Sequence, residues 1–144
     1  LRCAAILQSS PAFNSVHPRH TSPAMPNSSN VVSIHPYFKV HAGKLETVLA
    51  LLPAFVAKTQ GEKKCLWYDF TLDGDTVHCR EAYAGAEGAI EHLDNVAALL
   101  GEMLTHADLA RLELHGPAAE LEKLRPRCAA LNPAWFAYQC GIAR

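Results

Sequence analysis

CLWYDFTLDGDTVHCREAYAGAEGAIEHLDN, residues 65–95, decides the fold of this chain. Two alternating apolar runs, 65–72 and 76–83, flank Asp73-Gly74-Asp75, where glycine supplies the positive φ that a tight hairpin turn demands. A helix is predicted to follow over 86–104, with Ala89, Ile90, Leu93, Val96, Ala97, Leu100 and Leu104 spaced to face a core. Its third turn carries a lone histidine, His92, and the strand before it ends in Glu81-x-Tyr83. An acid, a phenol and an imidazole can therefore meet around one small cavity.

Upstream, VVSIHPYFKV (31–40) places Val32, Ile34 and Phe38 on one face and Ser33, His35, Tyr37 and Lys39 on the other, a half-buried strand. Pro36 deletes a ladder donor, so that strand is expected at a sheet edge or with a bulge. Residues 43–59 read as a helix with an apolar stripe from Leu45 through Leu49, Leu52 and Val56, and Pro53 is expected to kink or split it. Downstream, 107–114 alternates again and stops at Gly116-Pro117. A short helix through about Lys123 and an extended segment over 134–140 complete the chain.

The order β-α-β-β-α-β is the split βαβ, or ferredoxin-like, plan of an α+β domain over 31–116. Residues 117–144 form a C-terminal extension of a short helix and a strand, packing on the domain or on a dimer partner. Two helices cover one face of a four-stranded antiparallel sheet and leave the other bare. Packing two such sheets face to face about a twofold axis covers it, so a homodimeric α+β barrel is predicted. Trp135, Phe136 and Tyr138 suit the seam between subunits, where aromatics are favoured.

At 144 residues, with 49% apolar and 19% charged residues, the chain suits one globular domain. A net charge of −1 offers no electrostatic footprint for nucleic acid, and no run of like charge suggests a membrane surface. The longest nearly apolar stretch, 48–57, is about half the roughly 20 residues that a spanning helix needs. Five cysteines are scattered without zinc or disulfide spacing, which points to free thiols in a reducing compartment. No acidic residue precedes Glu46, and prolines punctuate the first thirty residues. Residues 1–30 are expected to be a disordered leader, either a transit-peptide remnant or sequence upstream of a start at Met25. The compartment stays open between cytoplasm and organelle.

On the residues of 55–75 and 79–95 the chain resembles the antibiotic biosynthesis monooxygenase (ABM) domain family of dimeric α+β barrels. Members commonly carry a Glu shortly before a Cys-Leu-x-Tyr strand, matched by Glu62, Cys65, Leu66 and Tyr68. They continue with Glu-x-Tyr at the end of the third strand and a histidine on the next helix, matched by Glu81, Tyr83 and His92. Lys64 stands where a glycine is usual. The resemblance covers about Val31 to Gly116. It implies a homodimer with a small, mostly apolar pocket between helices and sheet. Relatives include monooxygenases that use no cofactor and act on quinols and aromatic polyketides, isomerases of small phosphorylated signals, and haem-degrading enzymes. The haem-degrading branch fits less well, because Ser33 and His35 replace its early asparagine.

Within that frame His92 is the candidate base, since imidazole titrates near neutral pH and can take a proton from an acidic phenol. The competing reading is a solvated histidine between Glu91 and Asp94. Glu81 either orients His92 or pairs with Arg80 or Arg111. Tyr83 either bonds a substrate oxygen or packs with its hydroxyl in water. Trp67 or Tyr68, with Phe55, is expected to line the substrate pocket, alternation sending one of the two strand rings inward. His35 and His115 lie on neighbouring strands but lack a third ligand, so no metal and no cofactor are expected. The expected function is a cofactor-independent monooxygenase of a quinol-like or aromatic small molecule. The alternatives are a non-catalytic or stress-related module binding a small hydrophobic ligand, and a small-molecule isomerase using His92 and Glu81.

Overall fold

The computed structural model describes residues 30–142. The leader expected over 1–30 lies outside them but for Asn30. Alternating burial makes β1 (Val31–Val40) a strand whose inward residues Val32, Ile34, Phe38 and Val40 are all buried. It pairs antiparallel with β3 (Thr76–Ala84) on one side and β4 (Ala107–Gly116) on the other. β2 (Cys65–Asp73) borders β3, and β5 (Ala134–Ala137) runs parallel to β4, giving the order β2-β3-β1-β4-β5. The helices α1 (Leu45–Thr59), α2 (Gly85–Asn95) and α3 (Ala97–Met103) follow the split βαβ order, and α4 (Ala118–Cys128) joins β4 to β5.

β1 is central, so the edge alternative for Pro36 is wrong and the bulge alternative holds. The β1–β4 register shifts between Tyr37 and Phe38, directly after the residue that has no N–H to give. Pro53 does not split α1, which runs unbroken for 15 residues. The helix expected over 86–104 divides at Val96, whose φ of −95° and ψ of 3° leave the helical region. Asn95, just before the break, donates its amide to the Lys58 carbonyl and to Glu62. Asn competes in this way with regular helix geometry. α4 extends beyond Lys123 to Cys128, and the last extended segment is shorter than expected, four residues of β5.

The C-terminal extension is built into the core. Leu121, Leu124 and Cys128 are buried among Val32, Leu114, Tyr83 and Ala89. α4 also holds α2 in place: Glu120 Oε2 accepts the Ala86 N–H at 2.8 Å, and Arg127 reaches Asp94 at 2.8 Å. Leu124 is fully buried, so Leu124→Ala is expected to cost about 2–5 kcal/mol, read as a lower urea midpoint at unchanged slope.

Candidate functional site

α2 buries a stripe of small side chains, Gly85, Ala86, Gly88 and Ala89, and the next position on that stripe is His92. Small residues bring the helix close to the sheet. A Cβ on Gly88 would sit 2.8 Å from the Cβ of Lys64 and 3.1 Å from that of Tyr83. The close approach carries the imidazole inward, leaving it 2% exposed. From below, alternation along β3 turns Val77, Cys79, Glu81 and Tyr83 to the same side.

The imidazole is held at both nitrogens. Nδ1 lies 3.0 Å from each carboxylate oxygen of Glu62, and Nε2 lies 3.1 Å from Oε2 of Glu81. The Tyr83 hydroxyl donates a short hydrogen bond to the same Oε2. The rings of Tyr68 and Tyr83 flank the imidazole, with centroids 5.1 and 5.0 Å away. Asn95 donates to Glu62 Oε1 at 2.7 Å and so fixes the outer carboxylate.

Burial governs the protonation of this cluster. It pushes the Glu81 carboxyl up to about 8; the Tyr83 hydrogen bond opposes that rise and the nearby Glu62 adds to it. It also moves the His92 imidazole below its ordinary value, against the pull of Glu62. Near neutral pH the inner pair is therefore a carboxylic acid beside an uncharged imidazole. The Tyr83 and Tyr68 hydroxyls and the Cys79 thiol are pushed upward, chiefly by burial, and stay protonated.

The cluster forms one wall of an apolar cavity between the sheet and the helices. The cavity has about 80 Å³ of accessible space, several times what a single water occupies. Phe38, Phe55, Tyr68, Leu100 and Leu112 line it, and Cys128 and Leu131 of the C-terminal extension border one side. Its polar contacts are concentrated at Glu81 and His92.

The expected residues are thus sorted plainly. His92, Glu81 and Tyr83 come together, and the solvated-helix alternative for His92 does not hold. Glu81 faces His92, whereas Arg80 pairs with Asp69 at 2.9 Å and Arg111 with Glu113. Tyr68 and Phe55 line the cavity. Trp67 does not: β2 sends it to the opposite face, where it is 49% exposed and borders a shallow groove with His35, Asp69 and Arg80. His35 and His115 do approach across the sheet, with ring centroids 4.9 Å apart. Among the described residues no group of three His, Cys, Asp or Glu side chains is placed to hold a metal ion.

Sequence reasoning did not place Glu62 in the site. It lies in the turn between α1 and β2, thirty residues before the histidine that it contacts. The legible signal was the small-residue stripe of α2, which leads by helical spacing to His92.

No protein-family model matches the chain, and no curated protein matches it significantly. Solved structures do. MupZ from Pseudomonas fluorescens is 37% identical, superposes with a TM-score of 0.77, and is matched over 80% of this chain and 95% of its own. A candidate antibiotic biosynthesis monooxygenase from Caulobacter crescentus shares 20% identity and a TM-score of 0.55, over 60% of this chain and 88% of its own. An antibiotic biosynthesis monooxygenase matched over 58% of this chain and 92% of its own, at 18% identity and a TM-score of 0.51, shares the fold likewise. The match to MupZ is longer by about the length of the C-terminal extension. The 37% identity over most of both chains makes MupZ a relative of this chain, and the fold is that of the antibiotic biosynthesis monooxygenase domain, in agreement with the motif of Glu62, Cys65, Glu81, Tyr83 and His92.

Proposed function

We propose that the protein is an acid–base enzyme that needs no cofactor and takes a small, largely apolar molecule with one ionisable group into the cavity. The observation that carries this reading is the His92 imidazole held 3.1 Å from the buried Glu81 carboxyl on one wall of an apolar space, where burial favours the neutral form of both. His92 Nε2 removes the substrate proton, and the apolar lining disfavours competing water. Phe55 and Tyr68 hold the substrate, and Tyr83 steadies Glu81.

For a quinol-like or aromatic substrate the resulting anion is electron-rich and reacts with dioxygen directly. A hydroquinone then becomes a hydroxyquinone: one oxygen atom enters the ring and the other leaves as water with two hydrogens from the substrate. All the electrons come from the substrate. This is the activity that the family name suggests, and we take it as the first reading. The position of Glu81 beside His92 favours a second one, an isomerase in which His92 takes a proton at one atom and Glu81 returns one at another.

Oxygen uptake over a panel of hydroquinones and polycyclic phenols tests the choice. The first reading expects uptake with one of them and no requirement for added flavin, haem or metal. Deuterium exchange into a panel compound without oxygen uptake would favour the isomerase, and ligand binding without either would leave a binding module. We further propose that the outer sheet face, where His35, Tyr37, His78 and His115 stack, packs against a second copy. Light scattering giving a monomer at micromolar concentration would refute that. No helix among the described residues is long and apolar enough to cross a membrane.

A further inference from the structure

The cavity is open on the side away from its polar groups. Strand register places Glu81 of β3 opposite Ile34 of β1, and Ile34 opposite Leu114 of β4. All three line the space, so it crosses three adjacent strands, about 10 Å at the usual strand spacing. Glu81 and His92, both buried, stand at the β3 end. The exposed lining residues stand at the other. Leu104 follows α3 just before β4 and is 40% exposed, and Leu131 precedes β5, the strand beyond β4, and is 47% exposed. A single exposed leucine is ordinary on a protein surface, but these two border one cavity. Leu131 is held in place by the chain that follows it. Asn132 takes the left-handed conformation (φ 50°, ψ 52°) that Asn tolerates, its N–H returns to the Ala129 carbonyl, and Pro133 is buried. Apart from Glu81 and His92, no Asp, Glu, His, Lys or Arg lines the space.

We propose that the substrate is an elongated amphiphile, with an ionisable phenol or enol at His92 and an uncharged apolar tail that runs over β1 and leaves between Leu104 and Leu131. Leu131 is then a specificity-determining residue, and it comes from the C-terminal extension rather than from the β-α-β-β-α-β domain. Polarity sets the direction. The reverse placement would leave the head among leucine side chains and press tail carbons against the one polar wall, where they can neither donate nor accept a hydrogen bond. An apolar tail also covers the two rim leucines and removes their surface from water, which a head group alone would not do. The tail path rests on the reading of this cavity as the substrate site, but binding measures it without turnover.

Calorimetric titration of the full-length protein with para-alkylphenols, from methyl to hexyl, tests the path. Affinity is expected to rise about two- to fourfold per added methylene, the gain from burying each one partly or fully. Leu131→Asp is expected to weaken the hexyl compound by about tenfold or more and the methyl compound by less than about twofold, because only the long tail reaches the rim. Leu72→Asp makes the same change at an equally exposed leucine off the cavity and is expected to alter neither. In unsubstituted protein labelled with ¹⁵N and at leucine methyls, the His92 ring signals are expected to shift with every compound. The Leu104 and Leu131 methyls are expected to shift only with the longer ones, a result that does not depend on any variant folding. Affinity that does not grow with tail length would overturn the proposal, as would absence of binding by the whole series. Equal weakening of the methyl and hexyl compounds in Leu131→Asp would overturn it too, and so would rim methyls that shift with the methyl compound while His92 does not. The expected binding pattern in a protein that turns over no alkylated phenol or hydroquinone would keep the tail path and remove only the proposed enzyme.

Discussion

His92→Ala is expected to lose turnover by about 10²–10⁴-fold, the range that a positioned general base contributes, while ligand affinity for the apolar cavity changes little. The loss follows from position rather than from the residue type alone. The ring contacts both Glu62 and Glu81, and removing it leaves the buried Glu81 and the partly exposed Glu62 with a void between them. Alanine therefore also risks stability, since it leaves a cavity and a buried carboxyl without its imidazole partner. His92→Asn separates the two effects. An asparagine amide can donate to Glu62 much as Nδ1–H does, yet it offers no base toward the cavity. Equal loss of turnover in both variants, with His92→Asn unfolding near the wild-type urea midpoint, assigns the effect to proton removal. Turnover within threefold of wild type in His92→Asn would remove the imidazole from the mechanism.

The fold was legible because its signals are local. The Asp73-Gly74-Asp75 turn, the alternation on either side of it and the 3–4 spacing of α2 each act over a few residues, and together they define the split βαβ order. What remained hidden depends on partners distant in the chain. The choice between Trp67 and Tyr68 rests on the register shift between Cys65 and Trp67 against β3, and alternation by itself cannot say which ring turns inward. The break at Val96 reflects the bond of Asn95 back to Lys58, on another helix. Similarly, Glu62 appeared in the motif without a role, since only the packing of the α1–β2 turn against α2 brings it to Nδ1. The site was half readable: the residues on one strand–helix unit declared themselves, and those delivered by neighbouring turns did not.

Glu81→Gln is expected to abolish or strongly reduce turnover and, at alkaline pH, to make the protein more stable than the natural one. The sign follows from proton counting. Glu81 is raised from 4.5 in the unfolded chain to about 8 in the fold, so its contribution is full below 4.5 and is lost as pH climbs toward 8. His92 is lowered from 6.5, so its contribution is present above 6.5 and is lost as pH falls. Between these unfolded values the two effects oppose each other, because the fold favours the proton on Glu81 and the unfolded chain favours it on the imidazole. Above 6.5 the unfolded pair holds none while the fold still holds one. Stability then declines by about 1.4 kcal/mol per pH unit, or about 2 kcal/mol by the time Glu81 ionises. An amide carries no proton to lose, so Glu81→Gln flattens this slope and leaves the variant the more stable protein at pH 9, while its carbonyl still accepts the Tyr83 hydroxyl. Urea unfolding of both proteins at pH 5, 7 and 9 reads the difference directly. A slope that persists in Glu81→Gln would mean that another group holds the proton, and the buried acid on which the proposed chemistry depends would then be an ordinary carboxylate.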